Sequence, residues 1–260
     1  MRDTEHASRL GQNPTRFDIH LRSARVAFAG ADIFHNLDLT LRAGSFTCLL
    51  GPSGVGKSTL LRYLAGLVEG DVSGNITCSD NKPLDGRIAY MAQQDLLLPW
   101  RSVRENVELG AALRGERPDH EKSERLIAEV GLTEAAHLRP AELSGGMKQR
   151  AALARTLMED RPVVLMDEPF SALDPVNRLR LQELAAKVLR GKTVLLVTHD
   201  PLEALRLGDH VHVLSGAPAN LRDAVTPKGP SPRNITDPEI LAQQAELLRQ
   251  LGADMSEGAL

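Results

Sequence analysis

The run Gly51-Pro52-Ser53-Gly54-Val55-Gly56-Lys57-Ser58-Thr59 lies between a short apolar segment, Phe46 to Leu50, and an apolar segment from Lys57 to Leu67. It fits the pattern G-x-x-x-x-G-K-[ST]. Glycines at these places let the backbone curl until successive N–H groups point inward, which makes a concavity for phosphate oxygens. A helix starting at the end of the loop adds the positive end of its dipole. The flanks therefore read as strand, phosphate loop, helix. Working outward, further short apolar runs occur at Ile88 to Met91, Val163 to Met166, Val194 to Val197 and Val211 to Leu214. Apolar strands separated by helical stretches predict a parallel sheet covered on both faces.

The chain on either side of this pattern differs. Phe17, Ile19 and Leu21 alternate with polar residues, as do Leu37, Leu39 and Leu41. Both stretches read as half-buried strands of an antiparallel sheet. From about Leu96 to Asp160 the pattern is almost wholly helical, and Ser102 with Glu105 makes a capping box. Asp174-Pro175 and Asp200-Pro201 each place an N-cap carboxylate before a proline at the first helical position. Beyond Leu214 the residues turn to Gly, Pro and Asn, and Pro227 to Arg233 reads as a linker. Pro238 to Leu251 carries Ile240, Leu241, Leu247, Leu248 and Leu251 near helical spacing. That predicts a short amphipathic helix packed back on the domain. The division expected is a polar tail over 1–16, a domain over 17–220 with a helical part at about 96–160, and a linker and helix over 221–260.

Composition narrows the function. The chain has 260 residues, 42% hydrophobic and 25% charged, with a net charge of −3. A nucleic-acid-binding protein would show a basic stripe or a set of stacking aromatics, and aromatics are 3% here. Cys48 and Cys78 have no metal-type spacing and fit a reducing compartment. Met1 to Pro14 is polar, without the apolar core of a signal peptide. No run approaches the roughly 18 apolar residues that span a bilayer. The expected location is therefore cytoplasmic, with any membrane role exercised by docking on another protein.

The strand Val163-Val-Leu-Met-Asp167-Glu168 ends in two carboxylates. The carboxyl end of a parallel strand is where such sheets bind ligands. Asp167 is placed to reach a magnesium ion through water, and Glu168 to polarise an attacking water as general base. Lys57 would reach the β- and γ-phosphates of a nucleotide, and the Ser58 hydroxyl would hold Mg²⁺.

Upstream of that strand, Leu143-Ser144-Gly145-Gly146-Met147-Lys148-Gln149 resembles the signature sequence of ABC ATPases. Ser144 and the two glycines begin a helix, so a hydroxyl and N–H groups can face an anion. In the family that anion is the γ-phosphate of ATP held by the other subunit. The resemblance covers Phe17 to Gly216. It implies an α/β fold: a P-loop NTPase (RecA-like) core, an N-terminal antiparallel β-subdomain and an inserted α-helical subdomain. It implies that Gly51, Ser53, Gly54, Gly56, Lys57, Ser58 and Thr59 bind ATP. Gln93 looks like the Q-loop glutamine, a metal-side and catalytic residue. Gln94 beside it leaves the register open by one, and the distance to Pro99-Trp100 favours Gln93. Ser171-Ala-Leu-Asp174 looks like the D-loop, and His199, ending the strand Val194 to Thr198, like the switch histidine. Phe28 is the aromatic expected to stack on adenine, with core packing as its alternative.

Within the family, Leu97-Leu-Pro-Trp-Arg101, the signature run and Met166-Asp-Glu-Pro-Phe170 are similar to an importer group serving nitrate, alkanesulfonates, taurine and thiamine-precursor pyrimidines. Tyr90 to Trp100 looks most like the pyrimidine members. The resemblance implies ATP and Mg²⁺ as cofactors and an ATP-dependent homodimer at the cytoplasmic face of the inner membrane. It further implies an integral permease and, through that permease, a periplasmic or lipid-anchored substrate-binding protein. Nucleic acid is not an expected partner. ABC ATPases of DNA repair or translation usually carry tandem domains or long coiled-coil insertions, which this sequence does not show. A module that binds nucleotide without hydrolysis would fit an altered Glu168 or His199, and neither is altered.

Overall fold

A computed structural model describes residues 16–257, and side chains to residue 252. The tail expected at 1–16 therefore falls almost wholly outside the described residues. The chain runs through β1 (Ile19–Phe28), β2 (Ala31–Leu41), β3 (Phe46–Leu50), α1 (Lys57–Leu64), β4 (Asp71–Cys78) and β5 (Ile88–Met91). A helical stretch follows, with α2 (Val103–Val107), α3 (Leu109–Leu113), α4 (His120–Glu129), a 3₁₀ turn (Pro140–Glu142) and α5 (Gly145–Met158). Alternation then returns with β6 (Val163–Asp167), α6 (Pro175–Val188), β7 (Thr193–Thr198), α7 (Pro201–Leu207) and β8 (His210–Ser215). A short β9 (Asn220–Leu221) and a final α8 (Pro238–Glu257) complete the order.

The larger sheet has strand order β5-β6-β7-β3-β8-β9. It is parallel from β5 to β8, and β9 turns back antiparallel. Its strands β3, β6 and β7 are buried on both faces, which is why they read as continuous apolar runs rather than alternating ones. The register sets Leu50 beside Thr198 and Asp167 beside Val197. The carboxyl ends of β3, β6 and β7 thus form one edge. The phosphate loop, Glu168 and His199 each leave the sheet there.

The smaller sheet is antiparallel in the order β2-β1-β4. Ile19 and Leu21 meet Leu41 and Leu39 across β2, and all four are buried. β4 was not expected from the sequence. Its run, Asp71-Val-Ser-Gly-Asn-Ile-Thr-Cys78, is exposed as far as Asn75, with Ile76 half-buried and Cys78 buried. Its apolar alternation is sparse, Val72, Ile76 and Cys78 with Gly74 interrupting them, and the strand signal is correspondingly weak.

Three boundaries differ from expectation. The helix after the phosphate loop ends at Leu64, not Leu67. Gly66 turns left-handed, its N–H bonds the Tyr63 carbonyl, and the Leu67 N–H bonds the Arg62 carbonyl. This closure takes up carbonyls that the helix leaves free. The stretch 96–160 is also less helical than expected. Residues 96–102 are held in an irregular path by the buried Asn106 amide. That amide donates to the carbonyls of Leu98, Arg101 and Ser102, while its oxygen accepts the Leu98 N–H. Finally, α8 continues to Glu257, six residues past Leu251 and through Gly252. Ile240 and Leu247 are buried, and Leu241 and Leu248 are exposed. The linker before it is no loose tether. The buried Arg233 guanidinium donates to the carbonyls of Leu205, Gly208, Pro227 and Lys228.

The caps read from sequence are present. Ser102 and Glu105 bond reciprocally. Asp174 accepts the Asn177 N–H, and Asp200 those of Leu202 and Glu203. Among the described residues no helix is long and apolar enough to cross a membrane.

Candidate nucleotide site

The phosphate loop is curled around its own lysine. Lys57 is buried, and its ammonium donates to the carbonyls of Gly51 and Pro52 at 2.8 Å each. Burial lowers the Lys57 pKa, and the carboxylates of Glu168 and Asp167 offset part of that. Gly56 is the N-cap of α1 with φ of 107°, and a Cβ there would come within 2.7 Å of Ile33. At Gly51 a Cβ would meet the Leu214 carbonyl at 2.4 Å. Both glycines are therefore demanded by space, and Gly56 also by its dihedral. No side chain caps α1, so its first N–H groups are left to the loop and its ligand. Ser58 and Thr59 lie in its first turn and are half-buried, while Ser53 and Gly54 are exposed at the loop's outer side.

A cleft of about 800 Å³ runs along the loop, between Asp32 and Ile33 of β2 and the turn at Gly216 and Ala217 after β8. Phe28 ends β1 with 46% of its surface exposed. It is thus surface rather than core, which removes the packing alternative for this residue.

At the end of β6, Asp167 is 1% exposed, and neither of its carboxylate oxygens has a hydrogen-bond partner. Burial raises its pKa. The nearby Ser58 hydroxyl opposes the rise, and the charge of Glu168 adds to it. A buried carboxylate without a partner costs free energy unless something cationic meets it. The donors here are a carboxylate and a hydroxyl, both hard oxygens of the kind Mg²⁺ takes alongside phosphate. The residues therefore fit the ion.

Glu168 is held from several sides in a backbone conformation unusual for a glutamate, with φ of 47°. Its N–H donates to the Val197 carbonyl of β7 at 2.9 Å. Its own carbonyl accepts Gln149 Nε2 at 3.1 Å and Ser171 Oγ at 3.0 Å. Its side chain stands between two others. His199 Nδ1 is 3.2 Å from Oε1, and Gln93 Nε2 is 3.4 Å from Oε2. Gln93 is thus the glutamine that reaches Glu168. A carboxylate so placed can take a proton from water and pass it toward an imidazole.

Sequence reasoning missed how Glu168 is held. Gln149 and Ser171 lie in runs singled out for other reasons, but their bonds go to a backbone carbonyl, and sequence carries no signal for that.

The signature residues stand apart. Ser144 caps α5 by accepting the Met147 N–H at 3.3 Å, and Gly145 faces open space. A Cβ on Gly146 would lie 3.4 Å from the Ala172 carbonyl, so the signature abuts the turn that ends at Asp174. Among the described residues no hydrogen bond or ion pair joins Ser144, Gly145 or Gly146 to the phosphate loop. Within one chain the two halves of the motif set do not meet.

Residues 34–171 match the ABC transporter family. An uncharacterised ABC transporter ATP-binding protein of Haemophilus influenzae is 43% identical over 91% of this chain and 99% of its own length. An aliphatic sulfonates import ATP-binding protein of Burkholderia cenocepacia is 42% identical over 88% of this chain and 86% of its own length. A solved ATP-binding cassette, a dimer in a post-hydrolysis state bound to ADP and Pi, superposes with a TM-score of 0.70. It is 28% identical and covers 81% of this chain and 99% of its own. Fold, phosphate loop and relatives agree: this chain belongs to the ABC transporter family and is one of its ATP-binding, ATP-hydrolysing proteins.

Proposed function

We propose that this chain is the ATP-hydrolysing subunit of an importer, acting as a nucleotide-bridged pair of copies beneath a separate permease. The observation that carries the reading is the Glu168 carboxylate, clasped by His199 and Gln93 beside the unpartnered Asp167 and the buried Lys57. Lys57 and the amides from Ser53 to Thr59 hold the phosphates. Glu168 accepts the proton of the attacking water, and His199 shares the charge that develops. Gln93 fixes the rotamer of Glu168. Bound Mg²⁺, held by Ser58 and Asp167 with Gln93 nearby, would supply charge neutralisation at the phosphates.

The separation of Ser144, Gly145 and Gly146 from the phosphate loop supports a second copy as the source of the signature, with Asp174 near the shared face. That makes ATP the ligand that closes the pair and hydrolysis the event that releases it. Phe28, exposed at the end of β1, supplies the stacking surface for adenine. Trp100 is 66% exposed and Leu96 is exposed beside it, just past Gln93. An apolar surface there suits a permease at the cytoplasmic face of the membrane. The permease in turn receives solute from a periplasmic or lipid-anchored binding protein.

Two readings of the solute have support. The printed names of several relatives support aliphatic sulfonates. The run Tyr90 to Trp100 supports a thiamine-precursor pyrimidine. ATPase of the assembled permease complex, with a sulfonate-loaded and then a pyrimidine-loaded binding protein, separates them by which one raises turnover.

The catalytic reading is tested by Glu168→Gln. Phosphate release should fall by about 10²–10⁴-fold, the usual contribution of a general base, with ATP binding and pairing of the chains retained. Undiminished phosphate release would remove Glu168 from its role.

A further inference from the structure

A second acidic side chain is buried behind the switch histidine, and nothing above uses it. Glu203 lies on α7, four residues past His199, and is 5% exposed. Gln182 of α6, 2% exposed, donates from Nε2 to Glu203 Oε2 at 3.1 Å, while Gln182 Oε1 has no partner. The Thr198 hydroxyl also lies against the carboxylate. That hydroxyl oxygen accepts the Asp200 N–H at 3.0 Å, so its own proton is free to go to Glu203. One neighbour of His199, Thr198, thus lies against this carboxylate, and the other, Asp200, is joined to it through the Thr198 hydroxyl. The network continues to the D-loop. Arg178 of α6 pairs with Asp200 at 3.5 Å and donates to the Leu173 carbonyl at 3.2 Å.

We propose that Glu203 is a positioning residue for hydrolysis, whose ionised form fixes the Thr198–Asp200 segment and so the stance of His199 toward Glu168. The proposal rests on the hydrolytic reading of Glu168 and His199. The ionised carboxylate accepts from both Thr198 and Gln182, and every donor points the same way. A protonated Glu203 donates instead. The acceptor awaiting it is the Gln182 amide oxygen, reached by rotating the amide, and Thr198 then loses its charge-assisted bond. The buried amide accordingly serves two hydrogen-bond arrangements, one for each protonation state.

The charged and titratable groups facing Glu203 are Asp200 at the cap of its own helix, Arg178 from α6 and the buried Cys48 thiol from β3. Burial, aided by Asp200, raises the Glu203 pKa to about 7 against the opposing hydrogen bonds from Thr198 and Gln182 and the charge of Arg178. The change of state therefore falls near neutrality.

The test is steady-state ATPase of the full-length chain between pH 6 and pH 8, for wild type, Glu203→Gln and Gln182→Met. Wild-type kcat should fall by up to about tenfold from pH 8 to pH 6, following the ionised fraction of a group that titrates near 7. The KM for ATP should stay within about twofold, because the phosphate loop is untouched. In Glu203→Gln that limb should vanish, leaving kcat low and nearly level. In Gln182→Met the limb should move to higher pH, since an N–H that favours the ionised form is gone. A limb of unchanged midpoint in both variants would make Glu203 a structural residue only and overturn the proposal. Should Glu203→Gln fail to fold, the shift in Gln182→Met decides alone. A wild-type chain without ATPase at any pH, alone or with its permease, overturns the underlying hydrolytic reading, a result distinct from unmoved limbs on an active enzyme.

Discussion

The carboxyl edge of β6 and the seam between α6 and α7 both bury a carboxylate, and they treat it in opposite ways. Asp167 has the Ser58 hydroxyl beside it but no hydrogen bond on either oxygen. Glu203 has a donor on one oxygen, a hydroxyl beside it and an amide oxygen in reach. Burial raises the pKa of each. The Asp167 arrangement is incomplete without a cation from outside the chain, so it belongs to ligand binding. The Glu203 carboxyl finds a donor within the chain when ionised and, in the Gln182 amide oxygen, an acceptor when protonated, so it belongs to the machinery that holds the site. Burial alone does not separate a ligand-binding carboxylate from a supporting one; the inventory of partners does.

Asp167→Asn is the strongest way to break this contrast. If Asp167 exists to meet a cation beside Ser58, the variant should lose Mg²⁺-dependent hydrolysis by about 10²-fold or more. Without nucleotide it should unfold at higher urea concentration than wild type near neutral pH, because an unpartnered buried charge is gone. Phosphate release and urea melts measured side by side check both halves. Stability lost together with activity would mean that Asp167 is part of the frame, and the contrast would collapse.

The Glu203→Gln variant tests the other side through stability. The pKa of Glu203 is raised, so the folded state binds its proton more tightly than the unfolded state does. Stability from this group is full at acid pH and is lost as pH rises through the window from about 4.5 to about 7. The loss amounts to about 3 kcal/mol across that window. Wild type should therefore lose ground to Glu203→Gln as pH rises, in paired urea titrations at pH 5 and pH 8. An equal gap at both values would show that the carboxylate does not titrate there.

How much of this was legible depends on whether a residue's partner is itself a pattern in the sequence. The phosphate loop, β3, β5 and β6 to β8 were legible because apolar runs and glycines announce a buried parallel sheet and its turn. The caps at Ser102, Asp174 and Asp200 were legible because each bond closes within three residues. The stretch Asp71 to Cys78 was not, since its pairing partner lies some fifty residues earlier on β1 and Gly74 interrupts its sparse apolar alternation. The site residues from Lys57 to His199 were identified through motifs, whereas Glu203 sits in Pro201-Leu-Glu-Ala-Leu-Arg-Leu207 as one of two polar positions among apolar ones. Its burial depends on α6 packing over it, which no local pattern records. Asn106 was hidden in the same way, as its partners are the carbonyls of a loop.

The smallest expected effect concerns the backbone between these two regions. Glu168 keeps a positive φ, and a conformation of that kind persists only where its surroundings hold it. Four bonds do so: its N–H to Val197, and its carbonyl from Gln149 Nε2, from Ser171 Oγ and from the Ser171 N–H at 3.3 Å. Gln149→Leu removes one and keeps the side chain's bulk. The carbonyl retains two donors from Ser171, so the loss should be about 1 kcal/mol in stability and no more than a few-fold in kcat. The pH midpoint of turnover should not move, because Gln149 does not touch the Glu203 network. Urea melts and a pH profile of the variant measure this. A fall in kcat as large as that of Asp167→Asn would mean that the strained peptide at Glu168, more than the unpartnered oxygens of Asp167, limits hydrolysis at this edge. The line between ligand-binding and supporting groups would then run through the backbone rather than between the two carboxylates.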